Sequence, residues 1–184
     1  MNIIVFDLEA TCWEGATPNR SEIIEIGAVK FNPAGEKLDE FDVLIRPQIH
    51  PELSAFCTEL TTITQAMLED APSYPEAERA FRQWIGEGPS PYLLLSWGAY
   101  DRKQLHSDAE LHQLDSAWID HHLNLKTAHC KLRNLKRPMG MKRALALEGL
   151  DLLGTHHRGI DDARNIGSIF QKYVAEWPFL RELS

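Results

Sequence analysis

Residues 3–9 read Ile-Ile-Val-Phe-Asp-Leu-Glu, an apolar strand that ends in two acids separated by one leucine. Because the side chains of a strand alternate between its faces, Asp7 and Glu9 point the same way. The apolar run before them predicts an interior strand, and two like charges on one face repel each other. A hard divalent cation, which takes oxygen ligands, would relieve that repulsion. The alternative is a strand that simply ends in polar residues at the margin of the sheet.

The composition is that of a soluble globular chain, with 43% hydrophobic and 25% charged residues in a length of 184. That length favours one domain, residues 1–184, and is too short for two ordinary ones. No apolar run approaches the roughly 20 residues that span a bilayer, and no basic signal segment precedes the first strand. Cys12, Cys57 and Cys130 are widely spaced and form no Cys-x-x-Cys pair, which argues against a disulfide framework or a zinc site. We therefore expect no membrane association and a cytoplasmic location.

The net charge of −8 is unevenly distributed. Between Asp120 and Glu148 there is no acidic residue, whereas basic residues are frequent. Such a segment is either the solvated face of a helix or a surface that follows a phosphate backbone. Its basic side chains are Lys126, Lys131, Arg133, Lys136, Arg137, Lys142 and Arg143, accompanied by His121, His122 and His129.

The hydrophobic pattern predicts strands first and mixed helix–strand units afterwards, which favours a mixed sheet with helices packed on its faces. A hairpin turn is expected at Asn32-Pro33-Ala34-Gly35. Ser73 is the expected N-cap of a helix that Gly86 and Gly88 end. The predicted strands are 3–9, 22–31, 40–45 and 92–96, and the predicted helices are 64–68, 74–85, 100–111, 124–135, 141–147 and 160–176.

Two acids at the start of the last predicted helix face different ways. At helical spacings from Asp162 come apolar residues that must face the sheet, whereas Asp161 shares its face with polar residues. Asp162 therefore projects inward, where a carboxylate needs a partner, while Asp161 fits a helix-capping role. The apolar set is Ile166, Ile169, Phe170 and Tyr173, and the set predicted to be solvated is Arg164, Asn165, Ser168 and Lys172.

A candidate base precedes that helix. His157 stands five residues before Asp162, in a loop that contains Gly159. An imidazole is well suited to take a proton from water near neutral pH. His156 beside it is a rival, and position alone does not decide between the two.

A further acid follows the strand 92–96. Sites in open α/β sheets form at the carboxyl ends of strands, and Asp101 lies just beyond this one. Leu105, one helical turn later, places Asp101 on the inward edge of its helix. The alternative is a simple N-cap.

Taken together, these residues resemble the DEDD exonucleases of the histidine-containing branch, which include RNase T and the proofreading subunit of DNA polymerase III. The resemblance rests on Phe6-Asp7-Leu8-Glu9-Ala10-Thr11, Tyr100-Asp101 and His157-x-x-x-x-Asp162. It continues over nearly the whole chain, in blocks 21–29, 56–61, 96–102 and 154–165, and it points in particular to the Eri-like and Snipper-like exonucleases and the KapD proteins. One departure is Thr62, where relatives often carry glycine. If that position needs a positive φ, threonine suits it poorly.

The resemblance implies a ribonuclease H-like α/β fold, a mixed five-stranded β-sheet flanked by α-helices, and 3′–5′ exonuclease activity that releases nucleoside 5′-monophosphates. Two Mg²⁺ or Mn²⁺ ions about 3.5–4 Å apart would support the hydrolysis. Asp7 would bridge both ions, Glu9 and Asp162 would complete the first site, and Asp101 would hold the second, directly or through water. His157 would deprotonate the water at the first ion.

The resemblance also implies how the substrate lies. The 3′-terminal hydroxyl would meet Glu9 and the backbone of Ala10 and Thr11, which confines attack to the last phosphodiester. Contacts to the terminal nucleotide would come from Leu60, Thr61 and a stacking Tyr100. Trp13 and Trp97 are expected to be ordinary core residues.

The expected partner is single-stranded or 3′-overhanging RNA or DNA, with RNA favoured because similar enzymes trim structured RNA ends. No protein partner is predicted. Two other functions stay open. A non-catalytic nucleic-acid-binding module would be expected to lose site residues, whereas this chain keeps all five. A phosphatase or nucleotidase for free nucleotides would need no basic segment.

Overall fold

The computed structural model describes residues 1–88 and 90–181 and contains the predicted mixed five-stranded sheet. The strand order is β3-β2-β1-β4-β5, in which β1 to β3 are antiparallel and β4 and β5 run parallel to β1. Residues 89 and 182–184 of the predicted domain lie outside the described residues. The strands are β1 (Asn2–Ala10), β2 (Ile23–Phe31), β3 (Lys37–Leu44), β4 (Tyr92–Ser96) and β5 (His122–Asn124).

Helices cover both faces of the sheet. In the described part of the chain, none of them is long and apolar enough to cross a membrane. A 3-10 turn at Ala117–Asp120 leads into β5. The helices are α1 (Ala55–Thr61), α2 (Gln65–Leu68), α3 (Tyr74–Ile85), α4 (Tyr100–Leu111), α5 (Leu125–Leu132), α6 (Met141–Glu148), α7 (Gly159–Lys172) and α8 (Pro178–Arg181).

The central strand β1 is buried on both faces, which explains its continuous apolar run. Ile3 and Val5 pack in the core beside α7, whereas Ile4 and Phe6 pack in the core beside α3. All four side chains are fully buried, and each such burial contributes roughly 2 kcal/mol. The interior position predicted for this strand is confirmed.

The bounds predicted for α3 are confirmed, and its ends show why. The backbone N–H of Ser73 donates to the Glu76 carboxylate over 2.8 Å, completing a capping box at the N-terminus. Gly86 ends the helix at φ 89°, in the left-handed region that glycine adopts without strain.

The last long helix is shorter than predicted. It ends at Lys172 rather than Glu176, because the chain turns there and Trp177 donates its indole N–H to the Phe170 carbonyl over 2.8 Å. That carbonyl also accepts the Tyr173 N–H over 3.2 Å, so two donors meet it at the end of the helix. A new helix, α8, then begins at Pro178.

The prediction that Asn165 lies on the solvated face of its helix is wrong. Its side chain is fully buried and exchanges hydrogen bonds with the backbone of Leu153, accepting over 2.8 Å and donating over 2.9 Å. The backbone N–H and C=O of Leu153, in the loop before α7, need hydrogen-bond partners, and the side-chain amide of Asn165 supplies both. Helical spacing alone does not reveal such a long-range contact.

Candidate metal and nucleic-acid site

The carboxyl ends of β1 and β4 form an open crevice. β4 pairs with β1 only from Asn2 to Val5, and β4 ends at Ser96. Beyond Val5, β1 continues to Ala10 with β2 as its strand partner among the described strands. One edge of β1 is therefore open where the two acids stand, at the kind of position where open α/β sheets bind ligands.

Asp7 and Glu9 share one face of β1, as predicted from their spacing. Glu9 is 8% exposed and Asp7 is half-buried. Carboxylate oxygens of Asp7, Glu9 and Asp162 lie within 4.8 Å of one another. Among the described residues, no group donates a hydrogen bond to the side chain of Asp7 or Glu9. The group of Asp7, Glu9 and Asp162 is called the oxygen cluster below.

A close approach between β2 and α7 completes the oxygen cluster. A Cβ added to Gly27 would lie 2.0 Å from the backbone of Gly159, so only glycine lets the start of α7 come so near. The Gly159 N–H also donates to the Glu25 carboxylate over 2.9 Å. The first turn of α7 therefore carries Asp162, which is 5% exposed, to the oxygen cluster. A glycine inside a strand is the sequence signal for such an approach.

Asp101 lies in the same crevice but outside the oxygen cluster. It is 5% exposed and accepts a hydrogen bond from the Leu8 backbone N–H over 3.3 Å. The Ser96 side chain favours the ionised form of Asp101, while its hydroxyl donates to the Gly98 carbonyl over 3.2 Å and lies 2.9 Å from His122 Nε2. The Leu8 N–H therefore holds Asp101 in place with Ser96 beside it, a surrounding that the sequence did not indicate.

The loop before α7 is fixed by the two acids of that helix. Asp161 accepts the backbone N–H of Thr155 over 2.8 Å, so it anchors the loop rather than capping its own helix. Asp162 accepts the backbone N–H of His157 over 3.0 Å. His157 itself has φ 67°, an unusual conformation for a residue with a side chain.

Both candidate histidines line the crevice. Nδ1 of His156 lies 3.0 Å from each oxygen of Asp162. The His156 ring stacks on that of His157 with 3.9 Å between the centroids and 28° between the planes. Geometry therefore brings both imidazoles to Asp162.

Burial and mutual repulsion raise the pKa values of the crevice carboxyls. Burial, followed by the charges of Asp101 and Glu9, raises the pKa of Asp7 well above its ordinary value. Burial, followed by the charges of Glu25 and Asp162, raises the pKa of Glu9 to about 8. Burial also raises the pKa of Asp101 to about 6, although its hydrogen bonds oppose that shift. Positive charge placed among these groups would favour their ionised forms.

His157 is shifted in the opposite direction. Burial and then the neighbouring His156 lower its pKa, and Lys142 acts in the same direction. Asp162 opposes the shift. An imidazole with a lowered pKa is neutral near pH 7 and can accept a proton.

The residues present fit a divalent cation. A cluster of carboxylate oxygens with raised pKa values matches the all-oxygen ligand sets of Mg²⁺ and Mn²⁺. Binding such an ion would replace the repulsion between Asp7, Glu9 and Asp162 by attraction.

The residues predicted to contact substrate divide into two groups. Ala10, Leu60 and Tyr100 line the crevice, whose volume is about 450 Å³. Thr61 is fully buried and donates its hydroxyl hydrogen to the Cys57 carbonyl over 2.8 Å. The Thr11 side chain is 2% exposed, and its backbone N–H already donates to Glu22 over 2.8 Å, so neither threonine presents a free group to the crevice.

Thr62 follows α1 at φ 63° and ψ 3°, the left-handed conformation that makes threonine a poor fit.

The two tryptophans lie nearer the surface than predicted. Trp97 is half-buried and lines the crevice, donating its indole N–H to the Met139 carbonyl over 3.0 Å. Trp13 is half-buried against His50.

Only some of the side chains in the basic segment between Asp120 and Glu148 lie at the protein surface. Lys126 lines the crevice, and Lys142 is close enough to lower the pKa of His157. By contrast, His129 is 1% exposed and pairs with Glu148 over 2.8 Å inside the protein. The other exposed cations of the segment are Lys131, Arg133, Lys136, Arg137 and Arg143.

Comparison with known proteins agrees with this geometry. The RNase T family model, described as an exonuclease, matches residues 4–170. ERI1 exoribonuclease 2 of Danio rerio is 32% identical over 203 residues, covering 95% of this chain and 35% of the zebrafish protein. The 3′-5′ exonuclease Snipper of Drosophila melanogaster is 31% identical over 204 residues, covering 95% of this chain and 69% of the fly protein. The crystal structure of the nuclease domain of 3′hExo, a DEDDh family member bound to rAMP, matches with a TM-score of 0.89 and 30% identity, covering 95% of this chain and 92% of that one.

The fold and crevice define a nuclease of the DEDDh class, and the predicted ribonuclease H-like fold is confirmed. The chain belongs to the RNase T exonuclease family. The expected similarity to Eri-like and Snipper-like exonucleases is confirmed, whereas similarity to KapD proteins stays a prediction. The chain spans about a third of the length of the zebrafish relative.

Proposed function

We propose that the protein is a metal-dependent 3′–5′ exonuclease that acts on single-stranded 3′ ends or short 3′ overhangs and releases nucleoside 5′-monophosphates. The observation that carries this proposal is the oxygen cluster, three carboxylates within 4.8 Å of one another, of which the side chains of Asp7 and Glu9 accept no hydrogen bond from the described residues. Its position at the open edge of β1 leaves room for a nucleotide.

Four carboxylates would hold the metal ions. Asp7, Glu9 and Asp162 fit one Mg²⁺ or Mn²⁺ ion, and Asp101 fits a second, with Asp7 shared. When bound, two such ions activate the attacking water and stabilise the charge on the phosphate. Ser96 and Leu8 keep the Asp101 carboxylate aimed into the crevice.

His157 is proposed as the general base. Its lowered pKa leaves a neutral imidazole near pH 7, and Asp162 fixes the backbone from which that imidazole projects. The spacing to Asp162 also matches the family motif, which favours His157 over His156.

The 3′-terminal nucleotide is proposed to lie between β1 and α4. Glu9 and Ala10 would meet its terminal hydroxyl, and Leu60 and the 54%-exposed Tyr100 would contact its base or sugar. Lys126 and Lys142 would meet the preceding phosphates. RNA is favoured because relatives are named exoribonucleases and a structural neighbour holds rAMP. We also propose that residues 1–184 act as a single domain in the cytoplasm.

Digestion of matched 5′-labelled RNA and DNA oligonucleotides, blunt and overhanging, tests the proposal in Mg²⁺ and then in Mn²⁺. We expect products that shorten from the 3′ end, faster on RNA, and no products in chelator. Internal cutting of a circular single strand would instead indicate an endonuclease. Binding without any product in either metal would indicate a non-catalytic module.

A further inference from the structure

A second group of potential ligands adjoins the oxygen cluster. Ligand atoms of His156, His157 and Asp162 also lie within 4.8 Å of one another. We propose that these three residues form a binding site for a transition-metal ion of the zinc type. Because Asp162 belongs to both groups, this ion would compete with the catalytic cations of the proposed nuclease, on which this part of the inference rests.

The spacing suits a small cation with nitrogen ligands. With zinc–ligand distances of about 2.0–2.2 Å, tetrahedral ligands stand roughly 3.3 Å from each other. Nδ1 of His156 and the Asp162 oxygens are already 3.0 Å apart. A ring nitrogen of His157 already lies within 4.8 Å of the ligand atoms of His156 and Asp162, and the centroids of the two rings are 3.9 Å apart. The His156 side chain is 29% exposed, which opens a path for an ion from solvent.

The backbone that carries both imidazoles is held in place by other contacts. Asp161 accepts the Thr155 N–H over 2.8 Å, and a Cβ on Gly154 would lie 2.2 Å from Asp161. Asp162 accepts the His157 N–H over 3.0 Å. Such outer contacts orient metal ligands and strengthen binding.

Ligand chemistry separates the two groups. Two imidazoles and one carboxylate favour Zn²⁺, whereas three carboxylates favour Mg²⁺ or Mn²⁺. An ion held by His156 and His157 takes Asp162 out of the oxygen cluster and occupies the nitrogen that would accept a proton. Zinc-type and catalytic ions would therefore exclude each other.

Calorimetric titration of the metal-free protein with Zn²⁺ tests the site without any nucleic acid. We expect one zinc ion per chain, at least about 10-fold weaker binding in His156→Asn, and unchanged binding in His106→Asn. His106 is the matched control, because its Nε2 lies 3.4 Å from Asp120 outside both three-ligand groups. Added Mg²⁺ should weaken the apparent zinc affinity of the wild type.

Equal zinc affinity in His156→Asn and wild type would overturn the inference, and so would zinc binding that Mg²⁺ leaves unchanged. Circular dichroism verifies that each variant is folded. The two proposals fail separately. Zinc binding that depends on His156, in a protein that shortens no 3′ end, would retain this site and remove the proposed function. Zinc binding indifferent to His156, in an active exonuclease, would do the reverse.

Discussion

Two kinds of buried carboxylate lie close together in this protein. Glu22 accepts the backbone N–H groups of residues 48, 49 and 50 over 2.7, 2.8 and 2.9 Å. The side-chain carboxylates of Asp7 and Glu9 accept no hydrogen bond from any described group. Burial of a carboxylate without a partner is costly. Glu22 is therefore part of the scaffold, whereas Asp7 and Glu9 are the proposed ligands of a cation.

Glu148 extends the comparison. Burial alone would raise its pKa, yet hydrogen bonds from Tyr173 and His129 hold that pKa below the ordinary value. Burial of Glu9, by contrast, is joined by neighbouring negative charges, and its pKa rises to about 8. At Glu148, hydrogen bonds within the protein offset the cost of burying a carboxylate. At Glu9, no hydrogen bond from the described residues offsets that cost.

The largest expected effect comes from removing a charge of the oxygen cluster. Asp7→Asn should lower the rate of mononucleotide release on the order of 10⁴-fold, because the proposed shared metal ligand is lost. Single-turnover digestion of a 5′-labelled oligonucleotide measures this rate. Glu22→Gln is the matched control, and its folded fraction should cleave at the wild-type rate. An Asp7→Asn rate within tenfold of wild type would refute the assignment.

Replacing the proposed base should spare the metal ligands. His157→Ala should lower turnover about 10³-fold, because the imidazole proposed to accept the proton is lost. Calorimetric titration with Mn²⁺ should show nearly unchanged binding. Turnover that stays at the wild-type level would remove His157 from the role and return His156 to consideration.

Stability should respond in opposite directions at the two kinds of carboxylate. Glu22→Ala should lower the free energy of unfolding by about 3 kcal/mol, because three backbone N–H groups lose their acceptor. Asp7→Asn should raise that free energy in the metal-free protein, because a neutral amide replaces a carboxyl whose ionisation is opposed by burial and by its neighbours. Urea unfolding in chelator measures both free energies, and shifts of the same sign would contradict the distinction between Glu22 and Asp7.

The pH dependence of stability follows from the raised pKa of Glu9. The folded protein holds the proton up to about pH 8, whereas the unfolded chain releases it near its ordinary value of 4.5. Stability linked to this proton is therefore complete below pH 4.5 and is lost as pH rises toward 8. The melting temperature of the metal-free protein should fall on the order of 5 °C between pH 5 and 8. Saturating Mg²⁺ should remove this decline, and a decline that persists would contradict the account.

The smallest expected effect concerns backbone strain beside the crevice. Thr62→Gly should raise the free energy of unfolding by about 1 kcal/mol, because φ 63° suits glycine better than threonine. Thermal unfolding measures the gain, and Thr64→Gly, at an extended position, is the control that should not stabilise. A loss of stability in Thr62→Gly would show that the Thr62 side chain makes a compensating contribution.

The sequence predicted those features that depend on local periodicity. Alternation along β1 placed Asp7 and Glu9 on one face, and helical spacing turned Asp162 inward. Features that depend on the path of a loop escaped prediction. The contacts of Asn165 with Leu153, of Ser96 with Asp101 and of His156 with Asp162 each cross a loop or the start of a helix, where periodicity does not specify the geometry.

The strands of the five-stranded sheet also differ in how well the sequence predicts them. Long apolar strands were located from their patterns, whereas β5 has only three residues and offers no periodic signal. Gly27 is an intermediate case. A glycine inside a strand can mark a close approach, but only the fold shows that the approaching backbone belongs to Gly159.

The most direct test of the central claim is the number of Mn²⁺ ions bound per chain in the presence of a nucleoside 5′-monophosphate. Calorimetric titration of wild type, Asp7→Asn and Glu22→Gln measures it under one set of conditions. If Asp7 is the shared ligand of a two-metal site, we expect two ions for wild type and Glu22→Gln, and loss of tight binding in Asp7→Asn. Wild-type protein that binds no Mn²⁺, or Asp7→Asn that binds it as tightly as wild type, would contradict the account.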